Sequence, residues 1–363
     1  MVSKKSGGGS CGRSWRSAQV AAGLVAVCGL ALLAWPAVGL ADSDSFMSPM
    51  GHIAAEQKSH FIWVTLLTMV AVAPVLILLP LILLRYRRRR ADGQGAPGKG
   101  GAFRPNWEFS LPLEITMWGL PILLIIVMSV GLWNSTHQLD PYRPIEAVGE
   151  AEGDVGPPVR VQVVGLDWKW LFIYPDLGIA SVGEMAVPVG RPVAMTLTTD
   201  TVMQSFIISA LAGQIYAMPG MTTELHVMAD QPGNFQGENM QYNGNGFVDQ
   251  KFVTKALPSA DFESWVAKVS ADGVALDERA YNTLAVQGSR AQAHQALASD
   301  AMPADAIYFT LPDAMLFSKI VGRYHSGAPL ALDEQPGTPA FAASVEGAVD
   351  GAGEASEAEE GVQ

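Results

Sequence analysis

The distribution of apolar residues separates a membrane-spanning part of the chain from a soluble part. Residues 61–84 and residues 111–133 are apolar almost throughout, and the second stretch contains a single charged residue. Each stretch reaches the roughly 20 residues that an α-helix needs to cross a bilayer. Both contain proline, which membrane helices tolerate better than soluble helices do. The pattern predicts a two-helix transmembrane anchor within residues 42–139.

A soluble part with a different periodicity follows the second apolar stretch. Residues 140–158 are rich in Pro and Gly and are predicted to form a linker. Between residues 159 and 257, short runs of β-forming residues alternate with breaks rich in Gly, Pro and Asp, which is typical of an antiparallel sandwich. In residues 258–325 the period becomes helical, with Phe262 and Trp265 on one face. We predict a β-domain followed by short C-terminal helices.

The first 41 residues have the features of an export signal. Basic residues come first, an apolar stretch occupies residues 20–35, and small residues precede Asp42. This arrangement predicts a signal peptide over residues 1–41. An uncleaved third membrane helix is the alternative.

The distribution of basic residues predicts how the anchor is oriented in the membrane. The loop between the two apolar stretches carries five arginines between residues 85 and 90. An excess of basic residues marks the cytoplasmic side of a membrane. The predicted soluble domain therefore lies on the outer side, which is the periplasm if the membrane is a bacterial inner membrane.

The acidic balance of the chain limits its partners. Its formal net charge is −12, and no contiguous basic surface is expected that could neutralise the phosphates of a nucleic acid. From residue 333 onward the sequence contains acidic residues but no lysine or arginine, and Ala, Gly and Ser make up much of the rest. Such a composition buries too little apolar surface to offset the entropy of ordering. Residues 326–363 are therefore predicted to be a disordered acidic tail.

Three short segments, in this order after the second span, carry a resemblance to a known family. They are residues 134–137, residues 168–175 (WKWLFIYP) and residues 214–221 (QIYAMPGM). With the two helices and the arginine-rich loop, they resemble subunit II of haem–copper respiratory oxidases. The resemblance implies a membrane-anchored all-β protein, in which the two transmembrane helices carry a periplasmic cupredoxin-like Greek-key β-sandwich.

Members of this family that oxidise cytochrome c hold a binuclear copper centre, and the resemblance places its ligands on this sequence. The first His would fall at Gln204, the two Cys at Asn239 and Asn243, the backbone carbonyl donor at Gln241, the second His at Phe247 and the Met at Gln250. No side-chain ligand is retained. The only cysteines are Cys11 and Cys28, inside the predicted signal peptide, so a thiolate-bridged copper pair is not expected.

Loss of the copper ligands resembles the branch of the family that oxidises quinol. The resemblance then implies a non-redox structural subunit of a proton-translocating ubiquinol oxidase, with haem, copper and ubiquinol in the catalytic partner. Expected partners are oxidase subunits I, III and IV and membrane lipids, but not cytochrome c. The alternatives are an electron-accepting subunit II of a cytochrome c oxidase and an unrelated membrane-anchored periplasmic binding module.

Three further residues are candidates for specific roles. Glu114 is an ionisable residue inside a predicted span, which makes it a functional candidate. The family resemblance suggests proton uptake for it, and the alternative is a carboxylate that stays hydrated near the headgroups. Trp168 and Trp170 would share one face of a strand, and we expect them to contact the catalytic subunit.

Overall fold

The computed structural model describes residues 46–86, 108–145, 156–299 and 301–348. The predicted signal peptide lies outside the described residues, and so does most of the arginine-rich loop. The described chain forms two units, one of residues 60–135 and one of residues 46–59 together with 136–348.

The first unit consists of two long helices, as predicted. Helix α1 spans His52–Tyr86 and helix α2 spans Leu111–Gln138, and both are long and apolar enough to cross a membrane. Helix α1 begins ahead of the predicted residue 61, because the prediction followed the apolar residues and the helix also includes the more polar residues 52–60.

Small and polar residues pair the two helices at one end. The Oγ of Ser135 lies 2.8 Å from Nδ1 of His60. One turn further along, a Cβ on Gly131 would lie 2.4 Å from the indole ring of Trp63, so glycine is required for this close approach. Small residues of this kind allow membrane helices to pack without a hydrophobic driving force.

The second unit is a two-sheet sandwich. Its first ten strands are β1 Val159–Leu166, β2 Lys169–Tyr174, β3 Ile179–Val182, β4 Glu184–Pro188, β5 Val193–Thr199, β6 Gln204–Ile208, β7 Ala212–Ala217, β8 Thr223–Val227, β9 Gly233–Asn239 and β10 Lys251–Leu257. One sheet has the order β4-β10-β9-β6-β7, and the other contains β3-β2-β1-β5-β8. The sandwich is mixed rather than purely antiparallel, because β1 pairs with β5, and β4 with β10, in parallel.

Aromatic rings fill the space between the sheets. Trp170 and Phe172 project from β2, and they pack against Phe206 of β6 and Phe252 of β10 at centroid distances of 4.9 to 6.4 Å. A Cβ at Gly237 would lie only 2.0 Å from the Phe252 ring, so the backbone of β9 comes close enough to the ring to exclude a side chain there.

The predicted short C-terminal helices are confirmed, and the extension also forms two strands that were not predicted. It contains the helices α3 Ser259–Asp272, α4 Glu278–Ala285, α5 Arg290–Leu297 and α6 Leu316–Gly322. It also contributes strands β11 Val274–Ala275 and β12 Ile307–Thr310, which extend the sheet beyond β3. The edge of β3 was open for pairing, and residues remote in sequence fill it.

The predicted disorder of residues 326–363 is wrong for residues 326–348. Residues 339–348 are helical, and Phe341 is only 5% exposed because it joins the core of the domain. Val345, one turn later, packs against the same core. Two apolar side chains thus anchor a segment whose overall composition is that of a disordered tail. Residues 349–363 lie outside the described residues.

Candidate functional site

The sequence positions predicted to correspond to copper ligands converge at one end of the sandwich. Gln204 begins β6, Asn239 ends β9 and Gln250 directly precedes β10, so three strand ends bring these residues together. The loop between β9 and β10 carries Gln241, Asn243 and Phe247, the last of which starts a 3-10 turn. The spacing of a metal site is therefore retained in the fold.

Gln250 is the centre of a hydrogen-bonded amide cluster, which we define as Gln204, Asn239, Asn243 and Gln250. Nε2 of Gln250 donates to Oε1 of Gln204 at 2.6 Å. Oε1 of Gln250 accepts hydrogen bonds from Nδ2 of Asn239 at 3.0 Å and from Nδ2 of Asn243 at 2.8 Å. The Gln250 side chain is almost completely buried, so water does not replace these partners.

The backbone satisfies the outer atoms of the amide cluster. Oδ1 of Asn239 accepts from the backbone N–H groups of Ser205 and Gln241, and its Nδ2 also donates to the carbonyl of Gln241 at 2.8 Å. Nε2 of Gln204 donates to the carbonyl of Leu166 at 3.0 Å. The Gln241 carbonyl, whose counterpart binds copper in the copper-binding relatives, thus accepts a hydrogen bond from an amide N–H instead.

The chemistry of these side chains does not fit a binuclear copper centre. Copper in this setting needs thiolate and imidazole ligands, and the cluster offers neutral amides that are bonded to one another. Phe247 contributes only a ring, which lies 5.8 Å from that of Tyr242. Within the part of the chain that the structure describes, no group of three or more His, Cys, Asp or Glu side chains could hold a metal ion.

The two tryptophans do not share a face, and the expectation for Trp170 is wrong. Trp170 lies in β2, is 1% exposed and packs in the aromatic core. It therefore cannot contact a partner subunit. Trp168 lies in the turn before β2, where its φ of 66° breaks the alternation of a strand.

Trp168 instead covers the loop of the amide cluster. A Cβ at Gly246 would lie 2.1 Å from the indole ring, and one at Gly244 would lie 3.4 Å from it. Two glycines in the loop thus make room for one half-buried indole. The contact between Trp168 and the catalytic subunit remains a prediction.

Glu114 lies in the first turn of α2, at the end of the helix where the sequence predicts it. Its side chain is exposed in this chain. The described residues place no second ionisable group in the same helical turn. A role in proton uptake remains a prediction.

A buried lysine next to the amide cluster was not predicted from the sequence. Nζ of Lys169 donates to the carbonyls of Asp167, Val286 and Gly288 at distances of 2.7 to 3.1 Å. Burial lowers the pKa of Lys169 to about 8, against the opposing charge of Asp167. The only available signal was a lysine between two tryptophans, which says nothing about its distant partners.

A second buried group, also not predicted from the sequence, attaches the C-terminal extension to the sandwich. Glu184 of β4 accepts hydrogen bonds from Lys255, from Trp265 of α3 at 2.7 Å and from Tyr308 of β12 at 2.7 Å. Burial acts to raise the pKa of Glu184, but these three donors outweigh it and hold the pKa below the usual value.

Asp200 forms a comparable attachment on the other side. Its carboxylate is fully buried and accepts from Tyr281 at 2.6 Å, and from Tyr324 and Arg323 at 3.0 Å. Burial raises the pKa of Asp200 despite the opposing charge of Arg323. The partners are separated from Asp200 by 81 residues or more, so no local pattern could indicate them.

Comparison with known proteins identifies relatives of the chain. The family described as "Cytochrome C oxidase subunit II, periplasmic domain" matches residues 176–255. The chain is 41% identical to the cytochrome bo(3) ubiquinol oxidase subunit 2 of Pseudomonas putida, over 66% of this chain and 72% of that protein. It is 35% identical to the ubiquinol oxidase subunit 2 of Acetobacter aceti, over 80% of this chain and 85% of that protein.

More distant similarities extend to other quinol oxidases and to solved structures. The quinol oxidase subunit 2 of Bacillus subtilis is 33% identical over 68% of this chain and 73% of that protein. The periplasmic domain of cytochrome oxidase subunit II of Bradyrhizobium japonicum is 25% identical, with a TM-score of 0.30 over 32% of this chain and 97% of that chain.

Proposed function

Because the chain belongs to the ubiquinol oxidase subunit 2 family, we propose that it is the non-redox structural subunit of a proton-translocating ubiquinol oxidase. As a subunit II of a haem–copper oxidase it associates with subunit I, and it is a quinol oxidase subunit rather than a subunit of a cytochrome c oxidase. Membership of this family also excludes the alternative of an unrelated binding module.

The observation that carries the proposal is the amide cluster. An electron-accepting subunit needs a metal centre that faces its donor, and here the corresponding side chains hydrogen-bond to one another. A lipid-soluble quinol can deliver electrons to the catalytic partner through the membrane, which makes an external centre unnecessary. Haem, copper and ubiquinol then belong to the partner, and cytochrome c is not a substrate.

The residues of this chain contribute anchoring and rigidity. The contacts between Ser135 and His60, and between Gly131 and Trp63, pair the two membrane helices. The buried amide cluster fixes the end of the sandwich without a metal. We propose that the domain covers the periplasmic face of subunit I in the bacterial inner membrane, with Trp168 at the contact, and that subunits III and IV complete the complex.

Glu114 is the residue that we propose for proton uptake. It occupies the start of the second membrane helix, on the side that the arginine-rich loop marks as cytoplasmic. A carboxylate can bind and release a proton at that depth. Protons consumed by the partner would then pass this side chain on their way from the cytoplasm.

The test compares metal content and donor preference in the purified complex. A double variant, Gln204→Ala with Gln250→Ala, removes two cluster residues, and Asn245→Ala in the exposed part of the same loop is the control. We expect the same copper content in all three complexes, oxygen uptake with ubiquinol, and none with reduced cytochrome c. A loss of copper in the double variant alone, or turnover with cytochrome c, would contradict the proposal.

A further inference from the structure

The second unit contains a cavity of about 410 Å³ beside the ends of the two membrane helices. His52 and Glu56 of α1 line it, together with Asp140 and Arg143 of the segment after α2 and His226 of β8. Its volume lies in the range of small-ligand sites in proteins. The proposed function assigns no role to this cavity.

The sequence positions of the lining residues put the cavity at the depth of lipid headgroups. Gln138 lines the cavity and ends α2, five residues beyond Trp133 at the end of the apolar stretch. At 1.5 Å per residue this corresponds to roughly 8 Å along the helix. The polar layer on each side of the hydrocarbon core is of about that thickness. The cavity therefore opens where phospholipid headgroups lie on the outer face.

The charges of the cavity favour a zwitterionic ligand. Glu56 and Asp140 supply two negative charges and Arg143 one positive charge. Neither Glu56 nor Arg143 forms an ion pair within the part of the chain that the structure describes. A purely anionic headgroup would meet two carboxylates, whereas a headgroup with both signs finds a partner for each.

His226 adds a fixed hydrogen-bond acceptor. Its Nδ1 lies 3.0 Å from the carbonyl oxygen of Pro141. A carbonyl only accepts, so Nδ1 donates in this contact and Nε2 is the ring nitrogen left to accept. No hydrogen bond to Nε2 is present in the described structure. The cavity is thus rich in acceptors, which suits a ligand with several N–H donors.

We propose that this cavity binds the headgroup of an aminophospholipid such as phosphatidylethanolamine. The primary ammonium group offers three N–H donors to Glu56, Asp140 and Nε2 of His226. The phosphate accepts from the guanidinium of Arg143, a pairing that geometry and charge both favour. Ile53 and Leu225 supply the apolar part of the lining for the glycerol region.

The choline headgroup provides the discriminating comparison. Its quaternary nitrogen carries the same charge as the ammonium but has no N–H donor, and phosphatidylglycerol has no cation at all. The delipidated complex is titrated with each of the three lipids with identical acyl chains, and native mass spectrometry counts the lipids retained. We expect one tight site for phosphatidylethanolamine and at least about tenfold weaker retention of the other two.

Matched variants separate this cavity from lipid sites on other subunits. Arg143→Gln and Glu56→Gln should each weaken retention of that phosphatidylethanolamine at least about tenfold, because each loses a charged hydrogen bond. Arg160→Gln, an exposed arginine of the same domain outside the cavity, should leave it unchanged. Equal retention in all variants, or equal retention of the three lipids, would overturn the proposal. Quinol-dependent oxygen uptake of the same preparations tests the oxidase function separately.

Discussion

Nε2 of Gln250 lies 2.6 Å from Oε1 of Gln204, in a hydrogen bond between two residues 46 positions apart in the sequence. In the copper-binding relatives that the sequence resembles, these two positions would carry a methionine and a histidine. A direct amide pair thus replaces a bond through a metal ion. The amide can do so because its two ends are a donor and an acceptor at the right separation.

The first prediction concerns Gln250→Ala. The substitution removes the donor to Oε1 of Gln204 and the acceptor that Nδ2 of Asn239 and Nδ2 of Asn243 share. An unsatisfied buried group costs about 1–3 kcal/mol, so we expect a loss of roughly 2–4 kcal/mol in the free energy of unfolding. Thermal unfolding of the purified complex measures the loss. Asn245→Ala is the control, and an equal midpoint for both variants would show that the amide cluster does not stabilise the domain.

The second prediction concerns Gly246→Ala. The added methyl group would overlap the indole ring of Trp168, so either the loop or the ring must move. Overpacking of this kind costs about 1–3 kcal/mol. We expect faster proteolytic cleavage within the loop and a change in tryptophan fluorescence. Gly322→Ala, where no atom lies within 4 Å of the new methyl group, should behave like the wild type.

The third prediction is a pH dependence that arises from Glu184. Its pKa in the folded protein lies below the usual value, because hydrogen bonds from Lys255, Trp265 and Tyr308 outweigh the effect of burial. A carboxyl with a lowered pKa adds stability above its unfolded pKa of about 4.3 and loses it as the pH falls through the folded value. Wild type should therefore lose more stability than Glu184→Gln between pH 6 and the acid limit of folding, at roughly pH 3.

Thermal midpoints of both proteins across that range provide the measurement. Asp176, which is exposed and pairs with an exposed arginine, offers a comparison through Asp176→Asn. Exposed ion pairs contribute little to stability, so this variant should follow the wild-type curve closely. Identical acid profiles for Glu184→Gln and wild type would remove Glu184 as the source of the pH dependence.

The fourth prediction concerns Glu114→Gln. The amide keeps the size of the side chain but cannot release a proton, so proton uptake and quinol-dependent turnover should both fall several-fold. Assembly should not change, because Glu114 is exposed within this chain. Proton uptake by liposomes that contain the complex provides the measurement. Glu108→Gln, an exposed glutamate just before the same helix, is the matched control, and equal turnover in both variants would leave Glu114 without a role.

Local patterns were sufficient for the membrane anchor and for the β-character of the domain, and the family resemblance supplied the alignment of the lost ligands. The apolar lengths predicted both helices, and the resemblance identified Gln204 and Gln250 as positions that the fold brings together. Such features depend on residues near one another in sequence. The mixed strand pairing, the strands of the C-terminal extension and the buried Phe341 were not predicted, because each depends on contacts between remote segments.

The sequence by itself determined that the chain has an outward-facing domain on two membrane helices and that its copper ligands are absent. Charge, the length of apolar stretches and residue type are properties of the sequence that do not depend on folding. Only the tertiary structure decided what replaces the missing ligands, and that Trp168 and Trp170 face different surroundings. Hydrogen bonds and ring contacts require atoms within a few ångström, and distant strands reach that separation only after the two sheets have packed.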